Sequence, residues 1–575
     1  MENDAVARLF GEIAEMLELK GDNVFKIRAY EKAARIIEAL PEPIESYNGR
    51  SELEAIPGIG KGISEKIKEY LESGSISFHR ELLDEFPPQL IAMLRVPGLG
   101  PKKVSFLYEK AKIASIEELE RAAREGKIRT LPGFGQKTEE NILKGLAILR
   151  QRGGRISLGL ALPLAHGIIK EMAQVPGVKA ISEAGSLRRR REDIGDIDIL
   201  IASLDPLSVM EAFTGLTMVR EVLARGETKA SVITHHNLQV DLRVVSPESY
   251  GAALQYFTGS RQHNILLRQR AEGRGLKINE YGVFAVKDGE RIAGSTEEEV
   301  YRAVGLPIIP PEIRETGEEI PAAEKGTLPD LVDLRDIRGD LHAHTGFSDG
   351  INSIEEMAEG ARKLGYRYLA LTDHSASLKV AGGLSRERLL EKKRRIEELN
   401  ALWNDFRLLY GAEVDILPDG SLDYPDELLE EMDLVIGSVH SHFRQEEAVM
   451  TARLIRALRN PHVDLIAHPS GRLIGHREEY LVDWEAFFRE AAGTRTALEI
   501  NSYPDRLDLN DHRARRAVQL GIPLAVNTDA HSVQNLEWMT YGVAVARRGW
   551  VEKSSVLNTW SLSDLLFWLK SRNSS

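Results

Sequence analysis

Three aspartates and a group of histidines are the residues of this sequence best placed to do chemistry. Asp196 and Asp198 stand two apart in Gly195-Asp196-Ile197-Asp198-Ile199-Leu200. On a strand, residues i and i+2 share a face, so these carboxylates converge. Asp241, in Val240-Asp241-Leu242-Arg243, can come from a neighbouring strand. Three convergent carboxylates are hard oxygen ligands suited to Mg²⁺ or Mn²⁺, and two such ions stabilise both the attacking and the leaving oxygen of a phosphoryl transfer. A bare Asp-x-Asp also reads as two acids at a strand end facing water, so the neighbouring sequence has to decide.

The second group lies towards the C-terminal end, where ten of the 15 histidines follow residue 340. Asp340-Leu341-His342-Ala343-His344 puts two imidazoles on one strand face. Then come Thr372-Asp373-His374, Gly411-Ala412-Glu413, Ser438-Val439-His440, Ala467-His468-Pro469 and Asn527-Thr528-Asp529-Ala530-His531. These later groups end strand-like runs at 368–371, 408–410, 434–436, 465–466 and 524–526. Ligands at the C-terminal ends of successive parallel strands gather at one mouth of a barrel. Imidazole and carboxylate without sulfur suit Zn²⁺, Mn²⁺ or Fe²⁺. Any one of these histidines alone would read as structural; the full set at strand ends points to a metal centre. His442, His462, His476 and His512 read as surface or supporting residues, while Arg444 and Arg472 are candidates for contact with a substrate phosphate.

Three segments share one pattern: Ile56-Pro57-Gly58-Ile59-Gly60, Val96-Pro97-Gly98-Leu99-Gly100 and Leu131-Pro132-Gly133-Phe134-Gly135. Each lies between helix-like stretches. Glycines allow a tight turn and close approach of a ligand to the backbone, and the helix that follows offers free N–H groups to a phosphate. One such segment would be an ordinary interhelical turn. Three copies, each with a lysine beside it (Lys61, Lys102, Lys137), resemble helix-hairpin-helix elements, which hold DNA by its sugar-phosphate backbone rather than by its bases.

The elements that must carry these residues change along the chain. From Ala5 to about Arg150 the sequence reads as short amphipathic helices with Pro-Gly turns. Beyond Ile156 it becomes mixed α/β, with strand-like runs at 196–201 and 240–245, and the Pro/Glu/Gly-rich stretch 307–329 reads as an interdomain linker. After Arg335 strand and helix patterns alternate, as in β/α units. A chain of 575 residues needs several cores. No apolar run approaches the ~20 residues of a membrane span. The acidic start is not that of a signal peptide, and the absence of cysteine excludes disulfides and thiolate-bound zinc; both point to a reducing cytoplasm. The net charge of −13 argues against nucleic acid only until it is divided. Residues 1–300 hold 42 basic against 44 acidic residues, a balance of −2, and subtraction from 75 and 88 leaves 33 against 44, or −11, for the rest. The N-terminal half therefore stays eligible for phosphate binding.

Gly185-Ser186, ten residues upstream of the aspartates and followed by Arg188 to Arg191, can grip a triphosphate. With it the sequence resembles the nucleotidyltransferase superfamily, and Tyr256-Phe257-Thr258-Gly259-Ser260 narrows the resemblance to family X DNA polymerases of the beta type over residues 5–315. The resemblance implies that Asp196 and Asp198 bind both metals and that Asp241 helps activate the primer 3′-hydroxyl. It makes Gly185, Ser186, Arg189 and Arg155 triphosphate-binding candidates. Tyr256 and Phe257 would line the sugar pocket, Gly259-Ser260 occupies the position of a family cis peptide, and Asn264 matches a residue touching the incoming base. Gln239, two before Asp241, departs from the arginine of the beta enzyme. Lys66 matches the Schiff-base lysine of a 5′-deoxyribose phosphate lyase, with Tyr30 and Lys26 also matching. Gly62, Ser75 and Phe78 replace its supporting lysines, however, and Phe25 replaces its stacking histidine.

Residues 336–575 resemble the polymerase and histidinol phosphatase (PHP) domain, a distorted seven-stranded β/α barrel with a multinuclear metal centre. The implied ligands are His342, His344, Asp349, His374, Glu413, His440, His468, Asp529 and His531, holding two or three Zn²⁺, Mn²⁺ or Fe²⁺ ions that activate water and hold the leaving oxygen. The expected architecture is multidomain, α and α/β. It comprises a helical DNA-end domain (1–81), a second helix-hairpin-helix region (82–151), a nucleotidyltransferase palm (152–247), a nascent base-pair subdomain (248–315), a linker (316–335) and the PHP barrel (336–575). The expected activity is Mg²⁺- or Mn²⁺-dependent, template-directed gap filling with deoxynucleoside triphosphates on gapped or primed DNA in repair, by a monomer that also carries a 3′-end-trimming hydrolase, a 3′→5′ exonuclease with 3′-phosphatase and abasic-site endonuclease as its alternatives. The competing readings are a nucleotidyltransferase with a non-DNA acceptor and a catalytically silent DNA-binding scaffold. The three backbone-binding repeats and Tyr-Phe-Thr-Gly-Ser disfavour the first, and the intact aspartates disfavour the second.

Overall fold

A computed structural model describes residues 2–572 apart from 39, 41–43, 48–49, 57, 74–75, 87–89, 91–92, 95, 97–98, 141, 144–145, 147–154 and 236. Helix Glu2–Lys20 buries Val6, Phe10, Ile13 and Leu17, the three-and-four spacing of one apolar stripe, against helices Val24–Glu38, Lys61–Ser73 and Ser77–Glu85. A separate helical core forms around Val104, Leu107 and Leu119. Its helix Ile116–Arg124 starts where the Ser115 side chain accepts the Glu118 N–H.

The mixed α/β body has a five-stranded sheet ordered β2 (Val178–Glu183), β4 (Asp196–Ser203), β7 (Gln239–Val245), β6 (Lys229–Thr234), β5 (Val219–Arg225). The short pair β1 (Ile156–Ser157) and β3 (Asp193–Ile194) stands apart from it. Only β4 and β7 run parallel in the larger sheet. Ile197, Ile199 and Ile201, with Val240, Leu242 and Val244, pack against helices Leu158–Met172 and Pro206–Thr214. Period two then puts Asp196, Asp198 and Asp241 on the opposite face. A three-stranded sheet of β8 (Leu276–Asn279), β9 (Gly282–Ala285) and β10 (Arg291–Ala293) follows, packed with helices Tyr250–Thr258, Arg261–Glu272 and Glu297–Ala303.

The stretch that reads as a linker is built into this body. Its Ile309, Ile313, Ile320 and Ala323 join the neighbouring core, and helix Glu319–Lys325 forms within it. Arg314 is fully buried, with Nη1 2.7 Å from Glu297 Oε1, and buried Glu319 lies 2.7 Å from His263 Nδ1. Proline and glycine set the turns here, but the apolar side chains between them decide the packing.

In the last third, seven parallel strands pair in chain order: β11 (Gly339–Ala343), β12 (Tyr368–Leu371), β13 (Arg407–Asp415), β14 (Leu434–Ser438), β15 (Leu465–Ile466), β16 (Ala497–Asn501) and β17 (Leu524–Asn527). A bridge between Ala343 and Ala530, with His344 N–H donating to the Ala530 carbonyl at 2.8 Å, brings the two edges together. The barrel interior packs Leu341, Tyr368, Leu409 and Leu465 against Leu565 and Leu569 of helix Leu562–Arg572, at the end opposite the histidines. Charged contacts fix barrel to body: Arg472 with Glu192, Arg547 with Glu312, and Arg548 with Glu315, while Asp511 of the barrel holds Arg548 from its own side.

Candidate polymerase and metal sites

The described residues of the three glycine repeats fold alike. Ile59, Leu99 and Phe134 each donate a backbone hydrogen bond three residues back, at 3.0 Å in every copy. Gly60, Gly100 and Gly135 then each accept two backbone N–H groups from the helix that follows. Gly58 and Gly133 have φ of 96° and 81°, the left-handed region that favours glycine. Gly98 lies outside the described residues. Each helix start therefore presents free N–H groups at its first turn, the arrangement a phosphate needs.

Asp198 and Asp241 stand directly opposite each other on β4 and β7, with Asp196 one same-face step away. Gly185 opens the short helix Gly185–Arg188 at φ 60°, and a Cβ there would sit 2.2 Å from Asp198 Oδ2. That contact explains the glycine. Burial first, then the charges of Asp196 and Asp241, push the Asp198 carboxyl up to about 7. Burial would raise Asp241 too, but hydrogen bonds from Lys229, Gln239 and Ser231 hold it below the ordinary carboxylate value. Lys229 Nζ is 2.8 Å from Asp241 Oδ2, and Gln239 Nε2 donates to Oδ1 at 2.8 Å. Carboxylates crowded enough to resist ionisation are a ready divalent-cation site.

The other nucleotide-binding candidates are placed less uniformly. Ser186 lies in the turn beside the carboxylates, and Arg155 reaches Asp193 at 2.7 Å, close to Gly195. Arg189 is committed elsewhere: Nε lies 3.0 Å from Glu315 and Nη1 donates to the Thr258 carbonyl. Tyr256 and Phe257 meet edge to face at 5.1 Å, with the Arg243 guanidinium over Phe257. The Asn264 amide donates to the Tyr256 carbonyl and accepts from Gln255, both at 2.7 Å, so its hydrogen bonds turn into the helix pair. The Gly259–Ser260 peptide is cis. Lys66 Nζ sits 5.1 Å from the Phe78 ring centre and Lys26 Nζ 4.9 Å, while Tyr30 stacks on that ring. Phe78 thus stands between two cations, and Phe25 is exposed. Ser75 lies outside the described residues.

At the barrel mouth every histidine and carboxylate implied as a ligand is brought together. Donor atoms cluster in three groups: His344, Asp349, His374 and His531; His342, His344 and Asp529; His374, Glu413 and His440. His344 and His374 are each shared by two groups. His468 Nε2 joins at 2.9 Å from Glu413 Oε1. Glu413 lies inside β13, not after it as the apolar run implied, because β13 continues to Asp415 while pairing with β14.

The donor set fits divalent cations on its own geometry. His344 Nδ1, Asp349 Oδ1 and Glu413 Oε2 are buried without a hydrogen-bond partner. His374 Nδ1 lies 2.7 Å from Glu413 Oε2 yet is not aligned as a hydrogen bond. Buried lone pairs aimed at common points rather than at each other are costly unless a cation takes them. Burial would raise Glu413 and Asp529, but the surrounding histidines hold both well below the carboxylate range. Burial and the charges of His531 and His374 press His344 down to about 4, leaving it the neutral ligand form at pH 7.

Supporting residues absent from the sequence reading fix the imidazoles. Glu499, on β16, lies 2.8 Å from His342 Nδ1 and also accepts the His468 backbone N–H. Asp415 lies 2.6 Å from His440 Nδ1, and the Asp529 carbonyl 2.7 Å from His531 Nδ1. In each case Nε2 is left facing the cluster. Buried Lys392 pairs with Asp373 at 2.8 Å, and Asp373 in turn accepts from Thr345 and Ser348. Arg472 is engaged elsewhere: it binds Glu192 and donates to the carbonyls of Arg506 and Leu507. Arg444 faces the helical region, where its charge, after burial, lowers Lys103. His442, His476 and His512 are exposed and His462 is half-buried.

Comparison with known proteins finds similarity along nearly the whole chain. Family models match for a helix-hairpin-helix domain at residues 1–76, a SAM-like helix-hairpin-helix tandem at 90–147, a DNA polymerase beta thumb at 253–315 and a PHP domain at 340–505. The DNA polymerase/3′-5′ exonuclease PolX of Bacillus subtilis (strain 168) is 45% identical over 572 residues, covering 99% of this chain and 100% of that protein. A probable phosphatase of Syntrophotalea carbinolica is 28% identical over 232 residues, 38% of this chain and 90% of its own. DNA polymerase lambda of Rattus norvegicus is 24% identical over 333 residues, 53% of this chain and 54% of its own.

Proposed function

The chain belongs to the PolX family of DNA polymerase/3′-5′ exonucleases, and from that premise we propose that it fills short gaps in DNA during repair and trims 3′ ends at its PHP barrel. The observation that carries the reading is the presence, in one chain, of two separate sets of convergent donors. Asp198 faces Asp241 on the palm, and the buried imidazole–carboxylate cluster fills the barrel mouth.

On the polymerase side, Asp196, Asp198 and Asp241 would hold Mg²⁺ or Mn²⁺, which supplies charge stabilisation at the reacting phosphate. Gly185 lets the chain pass directly over Asp198, so a triphosphate bound at Ser186 would lie beside those ions. Lys229 and Gln239 hold Asp241 ionised, the form that would activate a primer 3′-hydroxyl. The helix-hairpin-helix turns would grip duplex backbone through their free N–H groups, placing the primer end without reading sequence. On the barrel side, Glu499, Asp415 and the Asp529 carbonyl leave Nε2 of His342, His440 and His531 facing the donor cluster, which would hold two or three Zn²⁺, Mn²⁺ or Fe²⁺ ions to supply an activated water and charge stabilisation. We further propose a cytoplasmic monomer divided as expected from the sequence, except that residues 316–335 pack onto the subdomain before them rather than form a linker, with Lys66 as the lyase nucleophile.

Primer extension and 3′ degradation on a one-nucleotide gapped duplex test the reading in Asp198→Ala and His344→Ala. Loss of synthesis alone in the first and of degradation alone in the second is expected. Degradation persisting in His344→Ala would remove the nuclease from the barrel, and wild type adding nothing to any primed template would remove the polymerase.

A further inference from the structure

Beside the metal ligands Asp349, Asp529 and His531 the barrel mouth opens into a cavity of about 340 Å³, within the size range of small-ligand sites. Its walls are chemically mixed. Tyr503 and Trp538 pack edge to face at 4.9 Å, and Leu473 and Ile351 add apolar surface. Arg506 stands at the junction with the metal centre, Nε 3.7 Å from Asp529 Oδ2. Arg35 enters from helix Val24–Glu38 of the N-terminal region.

Arg506 is the informative residue. Its Nη1 is buried and has no hydrogen-bond partner, although a guanidinium N–H left unpaired away from water is costly. The loop that carries it is anchored: Arg506 N–H donates to the Tyr503 carbonyl at 2.8 Å, and its own carbonyl accepts from Arg472 at 2.8 Å. The next residue, buried Leu507, has φ 46°, a conformation few L residues adopt, so the course of the backbone here is closely specified. A fixed cationic donor beside ligand carboxylates and next to two aromatic rings is complementary to one kind of group, an anion bearing a flat ring.

Resting on the nuclease reading above, we propose that this cavity seats the 3′-terminal nucleotide of the strand being degraded, with its phosphate on Arg506, its base against Tyr503 and Trp538, and the phosphate upstream on Arg35. In the reaction so placed, the oxygen of water bonds to phosphorus and the bond from phosphorus to the 3′-oxygen of the preceding sugar breaks. That oxygen takes a proton, leaving a new 3′-hydroxyl and a deoxynucleoside 5′-monophosphate in the cavity. Arg506 binds substrate at the reacting phosphate; Trp538 and Arg35 position the strand.

The test uses the full chain with its metals. Equilibrium dialysis measures binding of deoxyadenosine monophosphate, deoxyadenosine and inorganic phosphate to wild type, Arg506→Gln, Arg506→Lys and Trp538→Ala. Degradation kinetics, primer extension and metal content are read on the same preparations. Arg506→Gln is expected to lower kcat for degradation about 100-fold, as for loss of one oriented donor to a reacting group, with partial recovery in Arg506→Lys. It should also weaken monophosphate binding while metal content and primer extension stay at wild-type levels. Trp538→Ala is expected to raise KM for DNA about tenfold, in line with loss of one base–aromatic contact, and to weaken the nucleoside as well as the monophosphate. Unchanged monophosphate binding in Arg506→Gln, or an unchanged KM in Trp538→Ala, overturns the proposal. Loss of metal in Arg506→Gln also overturns it, because the residue would then serve only to support Asp529. His344→Ala separates the two levels: if it abolishes degradation while both cavity variants degrade normally, the nuclease reading survives and the cavity assignment falls.

Discussion

Acidifying the medium should disable the polymerase site through one carboxyl before any other part of it. Asp198 is pushed up to about 7 by burial, then by Asp196 and Asp241, with Arg243 and Lys229 opposing. Against its ordinary value of 3.8 that is a differential interaction of about 4 kcal/mol between the protonated and ionised forms. The folded state therefore binds a proton that the unfolded state has already released. Without divalent ions, stability falls as pH rises from about 4 to about 7 and is level above that, the sign given by proton linkage. Divalent cations bind only the ionised form, so the Mg²⁺ concentration needed for half-maximal primer extension should rise about tenfold per pH unit below about 7 and be flat above it. The assay is a Mg²⁺ titration of primer extension at closely spaced pH values. It is paired with thermal unfolding of metal-free Asp198→Asn, whose advantage over wild type should grow from about pH 4 to about pH 7 and then stop. A Mg²⁺ requirement that stays level down to about pH 5 would refute the reasoning, since Asp198 would then titrate like an ordinary exposed carboxyl.

Gly185→Ala would drive a methyl group into Asp198 Oδ2, so primer extension should fall by at least about 100-fold while degradation of 3′ ends is unaffected. Glu499→Gln removes the carboxylate that orients His342, and metal affinity of the barrel should fall about 10- to 100-fold in a chelator competition, with primer extension retained. Glu315→Gln releases Arg189 from its half-buried partner; the KM for deoxynucleoside triphosphate should drop if Arg189 serves the triphosphate, and an unchanged KM would remove it from that role. Borohydride reduction should trap an incised abasic strand on wild type and not on Lys66→Ala, and equal trapping in both would discard Lys66 as the Schiff-base residue.

What the sequence disclosed and what it withheld divide along a physical line. Asp196, Asp198 and Asp241 were legible because strand periodicity is a local property: Ile197, Ile199 and Ile201 fill one side, so the acids have only the other. The barrel ligands were legible for a related reason, since each histidine group follows an apolar run of its own. Glu499 and Asp415 stayed hidden because nothing local marks them. Glu499 is a single acid between apolar neighbours and Asp415 closes β13 two residues after Glu413, and the value of each arises only when β16 or β13 places it beside a histidine distant in the chain.

Arg189 shows the same limit from the other side. Its place after Gly185-Ser186 points to a triphosphate, yet its charge is met by Glu315, which Arg548 of the barrel also shares. Glu315 lies in the stretch whose proline and glycine content reads as a linker. Composition reports turns there, but not that Ile309, Ile313 and Ile320 pull the segment into the core and carry the carboxylate with them. Because Arg548 also binds Asp511 and the Arg189 carbonyl, the loop after Gly185 is tied to the barrel by charge as well as by chain. A triphosphate that recruits Arg189 must therefore compete with Glu315, and the carboxylate so released stays with Arg548.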